Sequence, residues 1–302
     1  MVHFKTIMMI IAKILLVVVF TILIEAIISI PLSIIIGYAS HTGSNILGGI
    51  SLTSGIGFLI IGSMVSNLAI IASIFIVYKI FEKKDDFPLG WKSDRYLKKS
   101  FEGIIWGVVL ITIPFLLVWL FRGINVANLS LSIAVLKSIS LGIILFLAVA
   151  VGEEFLARGY IQGIVKKYYG AKSAIIVSSL IFSLLHIFNQ NALQNPIPII
   201  SLFLAGILFG VSREITGDLW VPIGLHFSWN LFQGHIYGFE VSGLDLGSSL
   251  IQVERVGHPL LTGASFGLEG SIITMIVLML AIYLHWWYYR GRNKPIDLEL
   301  EL

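Results

Sequence analysis

The chain has 302 residues, of which 57% are hydrophobic and 12% charged, with a net charge of +3. Soluble domains carry about 25% charged residues, so this composition excludes a soluble globular protein and points to a polytopic bundle of transmembrane helices, an all-α fold. The absence of cysteine excludes disulfides, thiolate metal sites and a cysteine nucleophile.

The first apolar segment runs from about Ile7 to Ile36 and contains Lys13, Glu25 and Pro31. A signal peptide has an apolar region of about 7–15 residues, so an uncleaved first span is expected. Glu25 is an acid at membrane depth. It either faces a cavity or pairs with Lys13, and a structural role is expected. The connection over 37–54 holds no lysine or arginine, and a second span covers about Gly55 to Tyr78. The loop from Lys79 to Lys99 is strongly basic and is therefore expected in the cytoplasm.

A third span, about Phe101 to Phe121, leads to a short polar connection. The fourth covers about Ser138 to Val165 and the fifth about Ala171 to Phe188, followed by Asn189-Gln190-Asn191. Pro196 and Pro198 open the sixth, which runs to about Val211, and Arg213-Glu214 are expected in a turn. The seventh covers about Leu219 to Ile236. A Gly-rich loop over 237–268 precedes the eighth, Gly270 to Trp287. Eight spans place both termini in the cytoplasm. All but Arg122, Lys137 and Arg255 of the 20 lysines and arginines then lie on or near the cytoplasmic side, as the positive-inside rule requires. The tail Asp297–Leu302 reads as a vector-derived or disordered end. The chain reads as one domain in three regions. Residues 1–137 hold spans one to three and the basic loop, 138–236 a core of spans four to seven, and 237–302 the last loop, span and tail.

The chemistry concentrates in Gly152-Glu153-Glu154-Phe155-Leu156-Ala157-Arg158, directly after eleven uncharged residues, Leu141–Val151. An ionisable group at membrane depth costs at least a few kcal/mol. On a helix Glu154 and Arg158 are four apart and pair, while Glu153 points roughly 100° away and stays free. Phe182-x-x-x-His186 ends the fifth span, and His226-x-x-x-Asn230 lies in the seventh, each pair on one helical face. A lone histidine in an apolar helix is most often a satisfied structural donor. Here three spans each carry polar groups that avoid lipid, so convergence of Glu153, Glu154, His186, His226 and Asn230 in one cavity is the economical expectation.

Glu-Glu-x-x-x-Arg, Phe-x-x-x-His and His-x-x-x-Asn, each in its own helix, resemble the motifs of the CPBP-type (CAAX protease and bacteriocin-processing, Abi) intramembrane proteases, including the Rce1-type prenyl proteases. The approach Gly217-Asp218-Leu219-Trp220-Val221-Pro222-Ile223-Gly224-Leu225-His226 is similar as well. The resemblance covers about residues 138–235. It implies peptide hydrolysis by an activated water, with Glu153 as general base and His186 holding and polarising the water. Glu154 would pair with Arg158 or assist the base, with Phe182 in support, and His226 and Asn230 would stabilise the oxyanion. A carboxylate in low dielectric and a neutral amide donor suit these roles.

A metal-free site is the preferred expectation. The alternative is zinc on Glu153, His186 and His226, although no spacing is that of a zincin helix. The expected partners are the lipid bilayer and a membrane-embedded or lipidated peptide, a prenylated CAAX end, a bacteriocin leader or another; no nucleic acid is expected. The expected location is a prokaryotic cell membrane. Two rival readings are a non-catalytic immunity or scaffold protein and a proton- or cation-coupled transporter, the latter weakened by the lack of inverted repeats. Straight, upright helices would set His186 and His226 about 12 Å apart in depth, so a tilt or a low start of the fifth helix is needed to bring them together.

Overall fold

The computed structural model describes residues 2–42, 55–82 and 87–290. Most of the connection expected over 37–54, Lys83 and Lys84 of the basic loop, and the tail with Arg292, Lys294 and Asp297–Leu302 lie outside the described residues.

The fold is nearly all helical. Helices α1 (Val2–Thr42), α2 (Gly55–Phe81) and α3 (Tyr96–Leu120) precede strand β1 (Ile124–Leu129). Helix α4 (Ile133–Glu154) continues through a π-helical turn, Phe155–Ile161, into α5 (Gln162–Leu185) and a short 3-10 turn, His186–Phe188. Helices α6 (Ile197–Thr216) and α7 (Trp220–Leu231) follow, the latter extended by a second π-helical turn, Phe232–Ile236. Strand β2 (Ile251–Arg255), the single turn α8 (Pro259–Thr262) and α9 (Ile272–Arg290) complete the order. Among the described residues, six stretches are long and apolar enough to cross a membrane. One of them, Ile133–Phe188, contains both the fourth and fifth expected spans. Large apolar side chains such as Leu15, Ile22, Ile27 and Ile34 stand exposed along α1, as a lipid-facing surface requires.

Three expectations are corrected. The connection after α3 and the Gly-rich loop are not wholly irregular, because β1 and β2 pair antiparallel, Ile124 opposite Arg255 and Leu129 opposite Ile251. Alternating Asn125, Val126 and Asn128 satisfy their backbone groups this way rather than in a helix. Lys13 pairs with Glu82, which also faces Lys167, and not with Glu25. Twelve residues along a helix separate Lys13 from Glu25 by about 18 Å, beyond reach. The sixth helix does not stop at Val211. It runs to Thr216, burying Arg213 and Glu214 in its last turn. There Arg213 donates to the Pro88 carbonyl at 3.0 Å, and Glu214 receives Lys166 and Gln162.

Gly170 resolves the depth mismatch of the two histidines. The chain stays helical from Ile133 until Gly170, whose backbone (φ 76°, ψ 173°) lies outside helical geometry and in the region that favours glycine. Phe155 rings with Trp91, and Trp91 with Trp220 at the start of α7. Gly170 therefore lies fifteen residues, about 22 Å, beyond the level where α7 begins. The return segment starts low and brings His186 back up to the level of Glu153.

Helix α7 is held from two sides. Asp218 accepts the Trp220 N–H at 3.2 Å and pairs with Lys99, fixing the first turn. Along α3, a Cβ on Gly103 would stand 2.2 Å from the Val221 carbonyl oxygen, and one on Gly107 2.3 Å from that of Leu225. Small residues let the two backbones touch, and Ser228 adds a 3.0 Å bond to the Ile104 carbonyl. On the other side, α9 docks on α6 through a buried Ser212–His285 contact of 2.8 Å.

Candidate active site

Arg158 anchors the site. It lies in the π-helical turn just after Glu153 and Glu154 close α4, and its side chain is 0% exposed. Nη1 donates to Glu154 Oε1 at 2.9 Å and Nη2 to the Gly206 carbonyl at 3.0 Å. The guanidinium carbon sits 4.5 Å from the Phe182 ring centre and 5.0 Å from that of Phe209, a cation between two aromatic faces. Such a turn widens the helix locally and recurs at functional sites.

His226 joins the same carboxylate. Its Nδ1 lies 3.0 Å from Glu154 Oε1, and since a carboxylate only accepts, Nδ1–H donates. The ring stacks on Phe209 with centroids 5.1 Å apart. His186, at the end of α5, is oriented alike. Its Nδ1 lies 2.8 Å from the Phe182 carbonyl, again as donor. Both rings thus turn Nε2 toward the cavity.

Glu153 meets both of them there. Its Oε2 stands 3.9 Å from His186 Nε2 and 3.9 Å from His226 Nε2, and it accepts no hydrogen bond from the protein. These separations are too long for direct bonds. They leave room for a water between Glu153 and either histidine. Glu153 keeps 29% of its side chain accessible and His186 15%.

These groups line a cavity of about 510 Å³, within the range of small-ligand sites. Asn230, one turn after His226, lines it too. Of the motif residues expected to share one cavity, Glu153, His186, His226 and Asn230 line it, while Glu154 is buried behind the wall with Arg158. Four further residues complete the walls. Asn67 of α2 lies directly over Gly152, where a Cβ would meet its Oδ1 at 2.0 Å, and that oxygen has no partner. Ser201 of α6 is buried with its hydroxyl unpaired. Phe209 sandwiches Arg158, and Glu269 enters from the loop before α9. A single Asn or Ser in an apolar span gives no signal of this in the sequence. Glu269 stands far along the chain from the motifs.

Glu269 is 7% exposed. Its Oε2 accepts the Ser242 N–H at 2.9 Å and the Ser242 hydroxyl at 2.8 Å. Burial raises its carboxyl above the ordinary carboxylate range, against the pull of the Ser242 bonds and of His186 and His226. The loop carrying it closes tightly. Gly267 (φ 98°) packs so near the Glu240 carbonyl that a Cβ would stand 1.9 Å away.

Zinc does not fit this arrangement well. Two ligand atoms on a tetrahedral zinc lie about 3.4 Å apart, closer than the Glu153–histidine separations, and among the described residues no group of three His, Asp or Glu is arranged to hold a metal ion.

Residues 135–232 match the family model described as type II CAAX prenyl endopeptidase Rce1-like. The matched stretch begins in the first turn of α4, ends at α7 and contains all three motifs. It supports a CPBP/Rce1-type intramembrane protease. Comparison with curated proteins returned no match.

Proposed function

We propose that this chain, a multi-pass membrane protease with an Rce1-like core, hydrolyses a membrane-associated peptide with water activated directly by Glu153. One observation carries the reading. One carboxylate oxygen of Glu153 that accepts no hydrogen bond stands 3.9 Å from the Nε2 of each of two histidines inside a largely apolar cavity.

The proposed chemistry follows from the partners of each group. A water between Glu153 and His186 gives one proton to the Glu153 carboxylate and directs its other hydrogen at His186 Nε2. The water oxygen attacks the peptide carbonyl carbon. Negative charge then gathers on the carbonyl oxygen, where His226 Nε2–H and the Asn230 amide serve as donors. As the C–N bond breaks, Glu153 returns the proton to the departing nitrogen, leaving a free amine and a carboxylic acid that releases its proton to the solvent. Glu154 accepts the His226 Nδ1–H and so favours the doubly protonated ring whose Nε2–H donates, and neither Glu154 nor Arg158 exchanges protons with substrate. No step requires a metal.

The topology that accompanies this reading has eight spans and cytoplasmic termini, which the lysine and arginine asymmetry supports. The substrate is a prenylated CAAX end, a bacteriocin leader or another peptide held at the bilayer. The test is to reconstitute the protein in liposomes with a set of lipid-anchored peptides and to identify new termini by mass spectrometry. Products from wild type that are missing with Glu153→Gln support the reading; no products, or the same products from both, contradict it.

A further inference from the structure

Two carboxylates, Glu153 and Glu269, line the cavity, while a third, Glu154, lies buried behind its wall with Arg158. Glu154 is neutralised by Arg158. Glu153 is the proposed base. Glu269 is left over, nine-tenths buried, lining the cavity and joined to no lysine or arginine among the described residues. Its two hydrogen bonds both reach Oε2 from Ser242, which leaves Oε1 without a partner of its own. The same cavity wall carries two further buried polar atoms without a partner, the Ser201 hydroxyl and the Asn67 amide oxygen. His186 and His226 lie within electrostatic reach of Glu269, so it stands near the reacting centre.

A buried carboxylate without a cation is costly, and burial favours whatever neutralises it. The Glu269 carboxylate and the orphaned Asn67 amide oxygen can only accept, so a group that complements them brings N–H donors and positive charge. A free carboxylate placed beside Glu269 would meet a like charge with no lysine or arginine to compensate. Charge repulsion of that kind is an efficient means of rejecting a competitor.

We propose that Glu269 is a specificity-determining residue that receives a cationic group of the peptide, a lysine or arginine side chain or a free ammonium, next to the bond to be cleaved. The same residue rejects an acidic group at that position. This rests on the protease reading for its meaning, yet it is a statement about binding and is measurable without turnover.

The probes are three acyl-anchored fluorescent peptides identical but for one residue, Lys, Gln or Glu, with a fourth carrying Gln and a free amino terminus. Affinity is measured by anisotropy on the full-length protein in nanodiscs. Wild type should bind Lys over Glu by about tenfold or more, with Gln between. The fourth probe tells whether a terminal ammonium substitutes for the side chain. Glu269→Gln retains an acceptor oxygen for Ser242 and so should keep the loop in place while reducing the Lys-over-Glu ratio below about twofold. Equal affinities in wild type, or an unchanged ratio in a folded Glu269→Gln protein, would overturn the proposal. If the variant does not fold, the wild-type order decides alone. Cleavage of the same peptides, with Glu153→Gln as control, is read separately, so that selective binding without hydrolysis sinks the protease reading and leaves the Glu269 site standing.

Discussion

His226 Nδ1 lies 3.0 Å from Glu154 Oε1, the oxygen that also receives Arg158. One buried oxygen therefore ties the oxyanion-side histidine to the cation that neutralises it. Arg158→Ala leaves Glu154 charged, with His226 but no arginine to neutralise it, where both side chains of the pair are 0% exposed. Breaking such a pair costs about 3–5 kcal/mol. A marked drop in melting temperature is expected, together with lost activity, and Arg158→Ala with Glu154→Gln should regain part of the stability. A single variant that melts like wild type would show that the pair is not buried as described.

In the proposed mechanism Asn230 is the second donor to the oxyanion. Its change to Ala should lower kcat by about 10²–10³ with little change in KM, because an oxyanion contact forms only in the transition state. Steady-state kinetics on a cleaved peptide checks this. A rise in KM with unchanged kcat would make Asn230 a substrate-binding residue instead.

The α3–α7 seam positions both His226 and Asn230. Gly107→Ala would drive a Cβ to 2.1 Å from Ser228 Oγ and 2.3 Å from the Leu225 carbonyl oxygen. Backbone cannot give way as a side chain can, so the helices must separate. A loss of about 1–3 kcal/mol is expected, with a fall in activity out of proportion to the unfolded fraction. A thermal melt and an activity assay on the same sample measure both.

Direct activation of water by Glu153 implies indifference to chelation. 1,10-Phenanthroline should leave turnover unchanged, and elemental analysis should find well under one zinc per chain. Inhibition that added zinc reverses would require the site to be redrawn around a metal held by Glu153, His186 and His226.

The helices and the three motifs are legible because each rests on local pattern. An apolar run of about twenty residues has few destinations, and residues four apart on a helix share a face. The pairing of Glu154 with Arg158 follows from that spacing alone. Contacts between distant segments leave no such trace. The partner of Lys13 is Glu82, 69 residues away, and Glu269 reaches the site through a loop shaped by glycines in left-handed conformations. The π-helical turn at Phe155–Ile161 is likewise invisible, since its side chains, with the single Gly159, are equally at home in an ordinary α-helix. Gly103 and Gly107, by contrast, display a Gly-x-x-x-Gly spacing that announces close helix packing, without naming α7 as the neighbour. The depth of His186 is set by Gly170, a single residue whose reversal no periodicity encodes.

The central claim is that Glu153 is the base and carries no structural burden. Glu153 Oε2 accepts no hydrogen bond from the protein, so Glu153→Gln should relieve desolvation without removing a bond. The decisive measurement takes wild type and Glu153→Gln purified side by side, recording the thermal melt and peptide cleavage on each. An equal or higher melting temperature with cleavage reduced to background is the expected result. Cleavage by Glu153→Gln at the wild-type rate would contradict it.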